Sequence, residues 1–140
     1  MNQAERPAPV STSMLNSRFF GVWLLDSVQT VLADGTVLKP WGADPVGIFY
    51  WDQTGYFAVQ VGPRDSNSSG TYTSFFGQAQ APDGEAGTLR LKVVGSSNSA
   101  VGSEQVREFF FVGPGILRMR PPVSPDGAQS TLFWRKAPAG

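Results

Sequence analysis

Short apolar runs alternate with glycine, proline and polar punctuation along most of the chain. The first run extends from Phe19 to Val31, and a short one at Val37–Leu38 follows the turn "ADGT". The segments "VGIFYWD" and "YFAVQV", joined by "QTG", form the clearest hairpin. After the polar loop "GPRDSNSSGT" come "YTSFFGQAQ", "TLRLKVVG", "EQVREFFFV", "ILRMR" and "QSTLFWRK". Runs rich in Val, Phe, Leu, Trp and Tyr and bounded by Gly, Pro, Asp and Ser read as β-strands. No stretch holds a helical period long enough to compete. The pattern therefore predicts an all-β chain of about 8–9 antiparallel strands in sequential hairpins. Such a chain must hide two edges, and closure into an up-and-down β-barrel does so completely; a sandwich is the other architecture open to it. Residues 1–17 read as a mobile arm with room for one helical turn at 11–17, residues 18–137 as the barrel domain, and 138–140 as a tail.

Strand alternation sorts the side chains into two faces. Trp23, Leu25 and Ser27 share a face, as do Phe49, Trp51, Phe57, Val59 and Val61. Ile48, Tyr50, Tyr56, Ala58 and Gln60 fall on the opposite side. Leu89, Leu91 and Val93 oppose Arg90 and Lys92, and Leu117 and Met119 oppose Arg118 and Arg120, so the cations mark the water side. Leu132 and Trp134 oppose Phe133 and Arg135. The strand "EQVREFFFV" breaks this order. Phe109 and Phe111 belong inside, and the same parity carries Gln105 and Arg107 inward. Polar groups set among apolar walls are what ligand pockets contain. The competing account keeps both residues solvated at a barrel mouth, or pairs Arg107 with Asp26 or Asp52, because arginine is rarely buried alone. Phe110 then lies outside, open to a homodimer contact or to cover by the N-terminal arm.

Composition narrows the chemistry. Eleven basic and eleven acidic residues cancel, so no basic stripe is available for nucleic acid. Cysteine and histidine are both absent, which removes disulfides, thiolate nucleophiles, the usual zinc ligands and imidazole acid–base chemistry. Ser27 consequently has no triad partner. The loop "DSNSSG" lacks the convergent oxygen ligands of a metal site, and "GPGI" is a turn rather than a phosphate loop. No cofactor and no metal are expected. The opening segment "MNQAERPAPVSTSML" carries no signal-like apolar run, and no window is apolar enough to span a membrane, so a cytoplasmic protein is expected.

Four stretches carry a resemblance. "GVWLLDSV", "KPWGADPVGIFYWDQTGYFAVQV", "GSEQVREFFF" and "STLFWRK" together span about residues 20–136. In order, they resemble the bacterial lipocalin-like domain family. The resemblance implies a calyx-like barrel that binds a small, mostly hydrophobic molecule. It also implies that Trp23 plugs the barrel floor with Arg135 or Lys136 laid across it. Some lipocalin-like barrels encoded beside natural-product pathways act as cofactor-free cyclases or isomerases of polyketide- or terpenoid-type substrates. The connection between the central strands is shorter here than the family's. The histidine that family members often carry near 88–94 is missing, so no histidine mechanism transfers.

Three readings follow. In the first, the interior binds a small hydrophobic ligand through Trp23, Leu25, Ser27, Phe49, Trp51, Phe57, Leu91, Phe109, Met119 and Trp134, with Gln105 and Arg107 orienting an oxygen. The pocket should measure a few hundred Å3 and be lined by Trp23, Trp51, Phe109 and Trp134. In the second, the same pocket folds a flexible substrate for cyclisation, with Arg107, Gln105 and Tyr50 as candidate donors and Tyr56 behind them. In the third, the barrel is filled and serves as a structural or interaction module.

Overall fold

The computed structural model describes residues 12–64, 72–97 and 102–138. The reading of "DSNSSG" as a non-metal loop, most of the arm and the end of the tail fall outside those residues. Among the described residues, two 3-10 turns, Thr12–Met14 and Ser17–Phe19, precede nine strands. The strands are β1 (Gly21–Val31), β2 (Val37–Leu38), β3 (Pro45–Trp51), β4 (Tyr56–Pro63) and β5 (Thr73–Gln80). They continue with β6 (Ala86–Ser96), β7 (Glu104–Gly113), β8 (Ile116–Arg120) and β9 (Gln129–Lys136). All pairings are antiparallel. The order runs β1-β3-β4-β5-β6-β7-β8-β9, and β9 returns to β1 to close an eight-stranded barrel. The extra strand β2 pairs with the last two residues of β1, Thr30 and Val31. The all-β barrel expected from the hairpin pattern is therefore the fold.

Alternation holds where the ladders are regular. Phe49 and Trp51 on β3, Phe57, Val59 and Val61 on β4, and Leu89, Leu91 and Val93 on β6 are buried. Ile48, Tyr50 and Tyr56 are exposed on the outer face. It fails on β1. The register against β9 passes from Leu25↔Trp134 to Ser27↔Phe133, so Asp26 is an inserted residue. A bulge of this kind turns every later side chain to the other face. Ser27 is consequently exposed and Val28 takes the inward place, which corrects the assignment of Ser27 to the interior.

One end of the barrel is sealed. Phe19, expected as the first strand residue, instead sits in the second 3-10 turn and is fully buried in the end of the barrel. Its ring centroid lies 4.9 Å from those of Phe109 and Phe111 and 5.4 Å from that of Trp51, all edge-on, the arrangement aromatic quadrupoles favour. The Trp23 indole N–H donates to the Phe19 carbonyl at 2.7 Å, fixing the plug to β1. Lys136 lies over the outer face of Trp23, its Nζ 4.9 Å from the ring, and donates to the Phe20 carbonyl. Gly21 makes that approach feasible. Its φ is +114°, and a Cβ there would stand 3.1 Å from the Lys136 amine.

The segment before the plug is stitched to the β5–β6 turn. Asn16 is fully buried; its side-chain amide donates to the carbonyls of Pro82 (2.8 Å) and Gly84 (2.9 Å), and its Oδ1 accepts from the Arg18 amide. The Ala81 amide donates to the Met14 carbonyl, and Arg18 pairs with Asp83 at 2.9 Å. Asn16→Ala would strand two carbonyls that now share one donor group. We expect a loss of about 1–3 kcal/mol in urea unfolding, the penalty for unpaired buried polar groups.

Candidate functional site

The interior is divided into a packed floor and an open upper chamber. Strands β1, β4, β6 and β8 run away from the plug and β3, β5, β7 and β9 run toward it, so depth can be read along each strand. On β7, Phe109 and Phe111 reach the plug and Arg107 lies above them. On β4, Phe57 is low and Val59 and Val61 are higher. Above the floor is a cavity of about 300 Å3. Its wall is formed by Phe49, Val59, Val61, Phe75, Leu91, Met119, Leu132 and Trp134, with Val28 supplied by the bulge in β1. Pro40 and Trp41 from the β2–β3 connection and Pro121 from the β8–β9 connection complete it at the mouth. Apolar walls with few polar groups are the usual make-up of a small-molecule pocket.

Among the described residues, three polar side chains line this wall: Thr73, Ser130 and Arg107. The Ser130 hydroxyl is already paired with Thr30 at 2.8 Å. Arg107 is the charged one. One of its terminal N–H groups donates to the Val106 carbonyl at 2.8 Å. Burial pushes its pKa below the ordinary arginine range, the direction expected when a cation loses water without gaining a counter-ion. No carboxylate pairs with it among the described residues. The two acids proposed as partners are engaged elsewhere. Asp26 faces Arg135 across the bulge at 3.9 Å, and Asp52 caps the β3–β4 turn, accepting from Thr54 and from the Tyr50 hydroxyl. A second donor belongs to the same wall: the Trp134 indole N–H is buried and has no acceptor among the described residues.

The residues singled out from sequence thus separate. Phe49, Leu91, Arg107, Met119 and Trp134 come together around the cavity. Trp23, Trp51 and Phe109 do not; they pack around Phe19 in the floor or against its carbonyl, so the expected lining of Trp23, Trp51 and Phe109 is corrected to Trp134 alone of that set. Leu25 is buried in the core, and Phe57 stacks on Phe49 beneath the wall. Gln105 is half-buried near the rim, where its amide donates to the Ser103 hydroxyl at 3.1 Å. Tyr50 lies on the outside with its hydroxyl on Asp52, and Tyr56 is exposed, so neither reaches the interior. Phe110 is outside as expected, with the Arg118 guanidinium 5.3 Å above its ring.

Val59, Val61 and Leu132 were inward by alternation and lacked only a reason to be singled out. Val28 was hidden by the bulge. Pro40, Trp41 and Pro121 lie in connections, where no period marks an inward residue. Among the described residues no cluster of acidic, histidine or cysteine side chains could hold a metal ion, and no helix is long and apolar enough to cross a membrane.

No protein-family model matches the sequence, and no curated protein matches it. Among solved structures, a redesigned β-barrel is similar to this chain. It has 15% identity and a TM-score of 0.50, covering 90% of this chain and 100% of that one. At that identity the likeness is one of fold: an eight-stranded antiparallel barrel.

Proposed function

We propose that the barrel is a receptacle for a small, mostly hydrophobic molecule, the activity implied by its resemblance to lipocalin-like domains. The observation that carries the reading is the division of the interior. The floor is packed ring against ring, yet the chamber above it is left unfilled and apolar. Natural cores close such voids, because unfilled apolar volume lowers stability. A void retained beneath a connecting-loop mouth is therefore what a binding site requires. At about 300 Å3 the chamber is at the lower end of the size range of small-molecule pockets. On this reading residues 18–137 are the binding domain. A cofactor-free cyclisation or isomerisation would use the same chamber and would first require binding there.

Filling the chamber tests this. Val61→Trp and Val59→Phe each place extra ring volume at the wall. Nonanol, a neutral chain of matching size, should bind the wild type in titration calorimetry and lose at least about tenfold in affinity to either variant. Overpacking should lower stability by about 1–3 kcal/mol at most, leaving both variants folded. Failure of the wild type to bind either nonanol or its carboxylate analogue nonanoate, or undiminished nonanol binding to both filled variants, overturns the reading.

A further inference from the structure

We infer that Arg107 receives an anionic oxygen of the bound molecule, so that the preferred ligand is a small apolar carboxylic acid. The inference rests on the receptacle reading and adds the ligand's chemical class. It starts from a comparison among the arginines. Arg18, Arg64, Arg90, Arg118 and Arg135 lie on the outside, and each faces a carboxylate. Arg120 bonds the Thr131 hydroxyl. Arg107, the arginine that lines the interior, has a backbone carbonyl as its acceptor and no carboxylate among the described residues. Charge is thus paired with a carboxylate at five outer positions and left without one at Arg107, which is half-buried in the chamber wall.

A cation inside an apolar wall is destabilising unless something pairs with it. Val106 uses one of five guanidinium N–H donors, and the remaining fork suits two oxygens held in a plane. A carboxylate offers that geometry with a single negative charge, matching the one cation that the described residues place in the wall. A phosphate monoester carries close to two charges, and among the described residues no second cation lines the chamber to meet it. The rest of the wall, from Val59 and Phe75 to Leu132, favours an alkyl or cyclic body behind the carboxylate.

The test compares nonanoate with nonanol on the wild type, Arg107→Met and Arg107→Lys by titration calorimetry. A charge-assisted hydrogen bond should make the wild type prefer nonanoate by about ten- to a hundredfold. Arg107→Met should abolish that preference, read as the ratio of the two affinities within the same variant, and Arg107→Lys should keep part of it, since lysine retains the charge but not the fork. The methionine variant should be no less stable than the wild type in thermal unfolding, because an apolar side chain of similar length replaces an uncompensated charge. If it fails to fold, the wild-type preference and its retention in Arg107→Lys decide. Equal binding of the two probes by the wild type, or a preference that survives Arg107→Met, overturns the inference while leaving the receptacle reading intact. Failure of both probes to bind the wild type removes the receptacle reading and this one with it.

Discussion

Phe19→Ala should lower stability by about 3–5 kcal/mol, the range for removing a buried phenylalanine ring. For a chain of 140 residues that corresponds to a drop in thermal midpoint of roughly 10–15 °C, measurable by circular dichroism. The size of the effect follows from the number of neighbours that lose a partner at once. Phe49, Trp51, Phe109 and Phe111 all meet the Phe19 ring, and they come from strands on different sides of the barrel. Those strands cannot close over the void without changing the barrel's register, so the space stays open and its full penalty is felt. The backbone tie from Trp23 remains, because its acceptor is the Phe19 carbonyl rather than the ring. Native-like secondary structure with a sharply lower midpoint is therefore the expected result. A midpoint within about 3 °C of the wild type would show that the plug contributes little beyond the ladders.

The different legibility of floor and chamber has a physical origin. The strands of the β3–β4 hairpin, β6 and β8 could be sorted from sequence because an unbroken ladder forces alternation, and their buried and exposed residues fall where alternation puts them. Arg107 was visible for the same reason: the apolar parity of Phe109 and Phe111 carried a charge inward, and the charge does line the chamber. Ser27 departs from the inward face that alternation predicts because alternation assumes no inserted residue. Nothing in "LLDSV" distinguishes a bulge at Asp26 from a regular strand. Phe19 opens an apolar run and so reads as a strand residue; only the hydrogen bonds of the 3-10 turn, with Asn16 accepting from the Arg18 amide, set it apart. Trp41 and the prolines of the mouth carry no period at all. What sequence could not supply was the depth at which packing stops. Trp23 and Trp134 have the same residue type and the same inward parity, yet one belongs to the plug and the other to the cavity wall.

Gly77→Ala should be as damaging as loss of the plug, for a reason that involves no large side chain. Gly77 lies on β5 where the pairing with β6 passes from Phe76↔Gly95 to Gly77↔Val93, leaving Val94 as an inserted residue. The bulge presses β6 against Gly77. A Cβ there would stand 1.9 Å from the Lys92 carbonyl oxygen and 2.9 Å from the Val94 amide nitrogen. Both are backbone atoms held by the ladder, so no rotamer change relieves the contact, and one methyl group must separate two strands. We expect a loss of about 3 kcal/mol or more in urea unfolding, at or beyond the upper end for overpacked sites. Gly113→Ala is the matched control. Its Cβ would meet nothing within 4 Å, and its φ is not in the left-handed region, so stability should change by no more than about 0.5 kcal/mol. The consequence reaches the chamber. Phe75 on β5 and Leu91 on β6 flank the bulge and both line the cavity, so parting these strands there widens the wall. At a urea concentration where Gly77→Ala remains folded, its affinity for nonanol should fall while that of Gly113→Ala should not. Equal stability of the two alanine variants would mean that β5 and β6 yield at this contact, and that the bulge does not set the shape of the cavity wall.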